Sequence, residues 1–329
     1  MGSNLVDANS GRVLWSRTTF FLTRLERLRL NDDGTGDADP AVRIEPGGDF
    51  RPVYRGLMRD LRRAGHRILF FSFDWRRSAA EAAVKLGRFI DEHARNEVVN
   101  LVTHSMGGLV AALWLAEGRV DRLGRMACIA LPAGGVEMAV SALLRGYSKL
   151  AFFNIRANRA LIQELATGIP SLYEMLPLLP GVFEHTRWPA DLNLNPRFLE
   201  SAHGVREDFD NSVTKLLQLS REGRMALIAG TGTKTAAWLR QAGGQIGPAL
   251  ETQGVGDGWV LSENAGITGA STYGFRPRIR DVLGLGLFSP LALFWGSHPI
   301  LPMFKLVRRA AGEFLDSGEI KSLPAMTQP

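Results

Sequence analysis

Cysteine is almost absent from this chain of 329 residues, which contains only one. The single thiol of Cys128 cannot form a disulfide within the chain, so the hydrophobic core has to hold the fold together. A chain of this length buries about three quarters of the surface that its unfolded form exposes. The hydrophobic content of 45% and the charged content of 22% are typical of a globular protein, which excludes a disordered or collagen-like chain.

Lysine is also scarce, because only 6 of the 39 basic residues are lysines and the other 39 − 6 = 33 are arginines. The formal net charge is +6, yet the sequence has no block of basic residues. The densest arginine run, residues 51–67, falls on a predicted helix whose other face is apolar, as on any surface helix. The charge therefore indicates solvated arginine-rich faces, and no nucleic-acid partner is expected.

Long apolar helices are missing as well. Residues 282–304 carry no acidic residue, lysine or arginine, but they contain Pro290, Pro299 and Pro302. Prolines at this density would break the hydrogen bonding of a helix in lipid, so the window predicts a buried strand and loop. Residues 1–12 lack the apolar core of a signal peptide. The compartment stays unassigned, with the cytoplasm as the default expectation.

The remaining chain alternates between two kinds of apolar pattern. Residues 31–48 are rich in Asp, Gly and Pro and predict a loop. Continuous apolar runs predict strands that are buried on both faces, and runs with a helical period predict the helices between them. The predicted order is helix 52–64, strand 66–73, helix 78–93, strand 98–102, helix 107–117 and strand 126–131. Such alternation is typical of a parallel sheet with helices on both faces.

The alternation stops at residue 136. Residues 136–222 show helical segments and many prolines but no clear strand, so they are predicted to form a helical cap over one end of the sheet. The strand pattern returns at 225–229, an apolar segment follows at 283–295, and a basic helix is predicted at about 301–315. The predicted organisation is an α/β core of residues 1–135 and 223–329 with a cap insertion of residues 136–222.

The clearest chemical signal is the segment Thr103-His104-Ser105-Met106-Gly107-Gly108, which follows a predicted strand and opens an apolar helix. This context is typical of a nucleophilic serine on a sharp turn between strand and helix. Ser105 is the candidate nucleophile, and the backbone N–H of Met106 is the candidate oxyanion donor. The alternative is a solvent-facing serine that caps a helix.

A serine nucleophile needs a histidine base and an orienting carboxylate. In folds with this kind of turn the carboxylate comes next along the chain and the histidine last. His298 is the candidate base, because the other five histidines lie before the serine, beside it, or in the predicted insertion. Asp257 lies in a glycine-rich turn after the strand at 225–229 and is the candidate acid. Asp281 is the competitor, but it is expected to open the final strand and therefore to lie at the end of the strand away from the site.

Several motifs together resemble the lecithin:cholesterol acyltransferase family of α/β-hydrolases. Phe73-Asp74-Trp75-Arg76 is similar to the family's Tyr-Asp-Trp-Arg, and the serine turn is similar to its His-Ser-Met-Gly-Gly. Residues 170–177 resemble a segment of the family's inserted region. Gly256-Asp257-Gly258-Trp259-Val260 resembles its Gly-Asp-Gly-Thr-Val turn, with Trp259 in place of the usual Thr.

The resemblance implies an α/β-hydrolase fold and a triad of Ser105, Asp257 and His298 that works on an acyl ester, most often of a lipid. It leaves open whether water or an alcohol takes the acyl group, and therefore whether the protein is a hydrolase or an acyltransferase. The expected partner is a lipid or other acyl-ester substrate, with peripheral membrane contact as a further expectation. The alternative from another class is a catalytically silent protein of the same fold that binds a lipid or a partner.

Two groups of residues are expected around the site. Asp74, Trp75 and Arg76 follow a predicted strand and are expected to shape the pocket, unless Asp74 and Arg76 only form a structural ion pair. Apolar side chains of the predicted cap are expected to line an acyl cleft or else only to pack the cap onto the sheet. They are Leu172, Met175, Leu176, Leu178, Leu179 and Phe183.

No cofactor or metal is expected. Residues 230–235 are similar to a phosphate-binding loop, but Thr233 stands where a glycine must precede the lysine. No Cys/His cluster has the spacing of metal ligands, and no Gly-x-Gly-x-x-Gly follows a strand.

The start of the sequence gives a further expectation. In the resembled family the domain begins with an apolar strand that runs into a Pro-Gly-x-Met-Gly-Ser type of turn, and residues 1–5 resemble the end of that turn. A strand with half of the oxyanion hole is therefore expected upstream of Met1, unless the domain supplies these parts from within.

Overall fold

A computed structural model describes most of the chain. The described residues are 3–15, 25–49, 51–146, 159–178, 180–237, 246, 252–286 and 297–326. The elements form one small and one central sheet, a hairpin and helices around them.

The small sheet lies at the amino-terminal side of the chain and is antiparallel. Its strands are β1 (Ser3–Asp7), β2 (Arg12–Trp15) and β3 (Ile44–Asp49), in the order β2-β1-β3. Residues 31–48 were predicted to be a loop, which is wrong for the part that enters β3. The composition of that segment suggests a turn, but pairing of Ile44 and Glu45 with β1 holds it extended, a tertiary effect that local propensity does not contain.

The central sheet has four parallel strands in the order β4-β5-β6-β9. A separate antiparallel hairpin, β7-β8, lies between β6 and β9 along the chain. The strands are β4 (Val99–His104), β5 (Leu123–Ile129), β6 (Met225–Gly230), β7 (Thr233–Ala237), β8 (Thr252–Gly256) and β9 (Thr272–Phe275). Four parallel strands place their carboxyl ends at one edge of the sheet, which is where ligands bind in such folds.

Helices cover both faces of the central sheet. The α-helices of the described residues, of which α1, α2, α3, α7 and α9 pack on the sheet, are α1 (Arg51–Arg63), α2 (Ala79–Ala94), α3 (Met106–Ala116), α4 (Glu137–Arg145), α5 (Arg159–Thr167), α6 (Pro170–Glu174), α7 (Pro196–Arg221), α8 (Ile279–Leu283) and α9 (Lys305–Ser317). Met126 and Cys128 of β5 pack in the core under α2, α3 and α7. Ala127 and Ile129 of the same strand pack in the core under α1 and α9. Alternate residues of one strand thus serve two cores, which explains its continuous apolar sequence.

The predicted strand at residues 66–73 differs from the prediction. The structure assigns this segment to no helix and no sheet, and its side chains are half-buried or exposed, with Leu69 42% exposed. No strand in the described part of the chain pairs with the outer edge of β4, which would be its route into the central sheet. A cavity of about 410 Å³ instead separates residues 66–73 from β4. The apolar sequence was identified correctly, but a strand also needs a neighbour that offers backbone partners.

The insertion and the carboxyl-terminal part agree with the predictions to different degrees. Within residues 136–222 the described part contains α4 to α7 and no strand. The basic helix begins at Lys305 rather than 301, because residues 298–303 form a 3₁₀ segment that contains Pro302. The predicted segment at 283–295 lies mostly outside the described residues. In the described ranges no helix is both long and apolar enough to cross a membrane.

Candidate active site

Ser105 occupies the turn between β4 and α3 with a backbone conformation that L-residues rarely adopt, φ 55° and ψ −130°. A non-glycine residue held at positive φ costs on the order of 1–3 kcal/mol and persists where its surroundings impose it. Here the Ser105 N–H donates to the carbonyl of Ile129 at 2.9 Å, which ties the turn to the neighbouring strand. The turn is packed most tightly at Gly108: if this residue carried a Cβ atom, that atom would lie only 2.7 Å from Cδ1 of Leu131, which is too close. The strain directs the serine side chain away from the strand and helix axes.

Asp257 lies in the turn after β8 and is fully buried. Backbone N–H groups of Trp259 and Val260 donate to its Oδ1 at 3.0 and 2.9 Å. The turn packs directly on β6, since a Cβ on Gly230 would lie 2.5 Å from the Asp257 Cβ. A carboxylate that accepts two backbone N–H groups is held in one orientation, with Oδ2 left for a third donor.

His298 connects the other two residues. Its Nδ1 lies 2.7 Å from Oδ2 of Asp257, and its Nε2 lies 2.8 Å from Oγ of Ser105. Since the carboxylate can only accept, Nδ1 carries the proton and Nε2 accepts from the serine hydroxyl. The backbone N–H of His298 also donates to the carbonyl of Asp257 at 3.1 Å. The structure thus places Ser105, His298 and Asp257 in one hydrogen-bonded series.

Two further side chains contact His298, and sequence reasoning gave neither of them a part in the site. The indole ring of Trp259 is stacked on the imidazole, with 5.3 Å between ring centroids and 17° between ring planes. On another side, Nε2 of His104 donates to the carbonyl of His298 at 2.9 Å, while Nδ1 of His104 accepts from the hydroxyl of Tyr54 at 2.9 Å. The signal for Trp259 was its departure from the family motif, whereas nothing in the sequence linked His104 to Tyr54.

A cavity of about 60 Å³ opens above Ser105. Met106, Trp75, Trp259 and His298 line it from the core. The wall from the predicted cap consists of Val136, Met138, Ala139, Ser171, Leu172 and Met175. The N–H of Met106 stands at the first position of α3, where no carbonyl of the helix can accept from it.

Of the six apolar residues singled out in the predicted cap, the five that the structure describes divide into three groups. Leu172 and Met175 line the cavity. Leu176 and Phe183 pack among the cap helices instead, and Leu178 is exposed. Leu179 lies outside the described residues. The apolar content of the cap therefore has two uses, and the sequence alone did not separate them.

The Asp-Trp-Arg segment forms a buried network beside the cavity. The guanidinium of Arg76 contacts both carboxylate oxygens of Asp74, at 2.9 and 2.6 Å, and reaches Asp37 at 2.9 Å. The carbonyl of Trp75 accepts from the hydroxyl of Ser171 at 2.5 Å. Glu174 accepts from the N–H of Ala79 at 2.7 Å, at the start of α2. These bonds fasten α6, and with it the cavity lining, to the core.

The remaining candidates lie elsewhere. Asp281 was expected to open a strand, which is wrong: it lies in α8 after β9, and its carboxylate accepts from the backbone N–H of Arg278 at 2.9 Å. The thiol of Cys128 is fully buried in β5, and burial raises its pKa to about 11. Among the described residues no group of three His, Cys, Asp or Glu side chains could hold a metal ion.

A parallel sheet with helices on both faces and a strained serine between strand and helix define the α/β-hydrolase fold. Residues 53–215 match the family model described as Lecithin:cholesterol acyltransferase. Over these residues the resemblance to this family that was read from the motifs is confirmed. No curated protein matches the chain in sequence. Among solved structures it is similar to a chain of "The crystal structure of Tle4-Tli4 complex", with a TM-score of 0.44, 12% identity, and coverage of 70% of this chain and 73% of the other.

Proposed function

We propose that this protein is a serine-dependent enzyme that acts on acyl esters of lipids through an acyl-enzyme. The family match supports the broader part of the proposal, an enzyme for lipid acyl esters. The observation that carries the finer part is the hydrogen-bonded series from the Ser105 hydroxyl through His298 to Asp257 at a strained turn.

In the proposed reaction the oxygen of Ser105 attacks the ester carbonyl while Nε2 of His298 takes the hydroxyl proton. The carbonyl oxygen becomes an oxyanion, and the N–H of Met106 lies at the helix N-terminus, where it can donate to that charge. His298 then gives the proton to the departing alcohol, and the acyl group stays on Ser105. Asp257 holds the imidazole in the reactive tautomer and stabilises its charged form.

A second molecule with a hydroxyl group releases the acyl group. His298 takes a proton from water or from an acceptor alcohol, the new oxygen attacks the acyl-enzyme, and Ser105 recovers its proton. Water gives a hydrolase (a lipase, phospholipase or esterase), and an alcohol gives an O-acyltransferase. We propose that residues 136–222 act as the cap that binds the acyl chain, because Leu172 and Met175 face the cavity above Ser105. Access to lipid substrates would need peripheral membrane contact.

A fluorophosphonate probe tests the proposal, because only an activated serine displaces its leaving group. We expect one label per chain, located on Ser105 by mass spectrometry. Ser105→Ala should lose both the label and ester turnover, with a fall in rate on the order of a millionfold. Ser171→Ala is the matched control, since Ser171 lines the same cavity but donates to the carbonyl of Trp75. Unlabelled wild-type protein with a native fold would favour a silent lipid-binding protein instead.

A further inference from the structure

One surface next to the candidate active site combines exposed aliphatic side chains with arginines that form no ion pair with any described residue. Ile279 and Leu283 of α8 are 80% and 67% exposed, among the largest exposures of any big apolar residue described. They lie four residues apart, so they project from the same side of the helix. Such exposure costs free energy in water unless another surface covers it.

Arginines surround these two residues. Arg276, Arg278 and Arg280 are all exposed, and none of their guanidinium groups pairs with a carboxylate of the described residues. The nearest acidic residue, Asp281, accepts from the backbone N–H of Arg278 at the start of the helix. The segment around α8 is therefore both positively charged and apolar on its outer side.

The β7-β8 hairpin extends the same surface. The side chain of Arg276 packs on Gly232, just before β7. The contact is so close that a Cβ atom added to Gly232 would lie 2.6 Å from Cγ of Arg276. Lys234 and Val255 are direct partners across the hairpin, so their side chains share one face. Both are exposed, Val255 by 62%, whereas Thr235 on the other face is buried and accepts from the N–H of Gly258.

The position of this surface follows from the sheet. Ser105 follows the carboxyl end of β4, and Arg276 follows the carboxyl end of β9, which runs parallel to β4 in the same sheet. The hairpin carries Asp257 at its end. A partner on this surface would therefore lie at the edge of the sheet where the site is located.

We propose that Val255, Ile279, Leu283 and the arginines 276, 278 and 280 form a docking face for an anionic lipid surface. The proposal rests on the proposed function, since a lipid ester is presented in a bilayer or micelle. Arginines attract the headgroups, and aliphatic side chains enter the boundary with the acyl chains. An acidic protein would complement the charge but would not by itself account for the exposed aliphatic residues at this edge.

The test is cosedimentation with vesicles of phosphatidylcholine alone and of phosphatidylcholine mixed with phosphatidylserine. We expect the full chain to bind the mixed vesicles and to be released by salt. Replacing the three arginines by Gln should weaken binding about a hundredfold, at about fivefold for each basic residue near an anionic surface. Ile279→Ser with Leu283→Ser should weaken it by about tenfold or more.

Matched controls lie at the opposite edge of the sheet. Arg62 and Arg63 end α1, just before residues 66–73, and Val98 precedes β4 with 62% exposure. Arg62→Gln with Arg63→Gln, or Val98→Ser, should leave vesicle binding unchanged. Equal losses in the control and docking-face variants would overturn the proposal, as would wild-type protein that ignores phosphatidylserine or binds an acidic polypeptide in preference to vesicles.

Labelling of Ser105 separates this proposal from the proposed function. The docking-face variants should react with a soluble fluorophosphonate at the wild-type rate, because none of the substituted residues contacts the triad. Vesicle binding without labelling would remove the proposed function and keep the docking face. Labelling without vesicle binding would do the reverse.

Discussion

The indole of Trp259 is stacked on the imidazole of His298 with 5.3 Å between ring centroids, while the two ring nitrogens of His298 contact Asp257 and Ser105. The face of an aromatic ring carries partial negative charge and attracts a cation within about 6 Å. In the proposed mechanism His298 becomes a cation while the ester is attacked, so Trp259 is in a position to stabilise that state and to hold the ring in place.

Trp259→Thr should therefore lower kcat/KM by about 3- to 30-fold, the equivalent of about 0.5–2 kcal/mol for such a contact. The bonds from residues 259 and 260 to Asp257 come from the backbone and survive the substitution. Trp259→Phe keeps an aromatic face, so its kcat/KM should lie between that of the wild type and that of Trp259→Thr. Equal rates for Trp259→Phe and Trp259→Thr would show that the aromatic face of Trp259 does not stabilise the charged imidazole.

Substitutions at Leu172 and Met175 should change the preference for acyl-chain length. Both side chains line the cavity above Ser105, so Leu172→Ala and Met175→Ala should enlarge it and favour longer or bulkier acyl esters. Turnover of a series of esters from short to long chains measures the change. Leu178→Ala is the control, because Leu178 belongs to the same segment but is 46% exposed. The same chain-length profile in all three variants would argue against the cap as the acyl site.

Arg76→Met should destabilise the fold by about 3–5 kcal/mol, the usual result when one partner of a buried ion pair is removed. The variant leaves Asp74, which is 8% exposed, without the guanidinium that contacts both of its oxygens. Urea denaturation measures the free energy of unfolding. The neighbouring Arg77 pairs with Glu81 at the surface, so Arg77→Met should cost less than about 1 kcal/mol. Similar losses at both positions would show that the Arg76 network contributes little to stability.

Glu137→Gln should make stability less sensitive to pH. Burial raises the pKa of Glu137 to about 7, with Glu263 adding repulsion, although Asn264 donates to its carboxyl group. The folded state then binds a proton that the unfolded state has lost, so wild-type stability falls as pH rises from about 4.5 to about 7. The variant has no such proton, and its stability relative to wild type should increase across that window by on the order of 3 kcal/mol.

Denaturation at about pH 5 and about pH 8 gives the comparison. Glu263→Gln is the control, because Glu263 is exposed and only adds repulsion. Its stability should follow the wild-type pH dependence closely. Parallel curves for wild type and Glu137→Gln would show that Glu137 ionises as easily in the folded protein as in the unfolded chain.

Most of the central sheet could be predicted from the sequence, because β4, β5 and β6 are continuous apolar runs, which is the pattern that burial on both faces produces. The strands β3 and β9 and the β7-β8 hairpin could not be predicted in this way. Ile44-Glu45-Pro46-Gly47 has turn composition, and it is extended only because β1 lies beside it. The four residues of β9 are shorter than any window in which a period can be recognised. Such elements depend on partners that are distant along the chain.

The candidate site shows the same division. The turn at Ser105 and the order of Asp257 and His298 are features of the chain itself, so motif and order led to all three. The contacts of Trp259 and His104 with His298 arise only in the folded structure, and no spacing of residues along the chain predicts them. Asp281 was placed wrongly because the helix α8, with five residues, is too short to be recognised from the sequence.

Residues 67–72 pair with no strand of the described chain, and this has a consequence for how the molecule behaves in solution. Arg67 to Ser72 make no backbone hydrogen bond with any described residue, and the outer edge of β4 faces them across the cavity. Amide protons along both borders should exchange with solvent far faster than those of β5, which has a neighbour on each side. Two strand edges that no described residue covers can also pair with an incoming strand, which is how unprotected edges lead to aggregation. Handling of the isolated chain should therefore be limited by self-association well before the rest of the sheet unfolds.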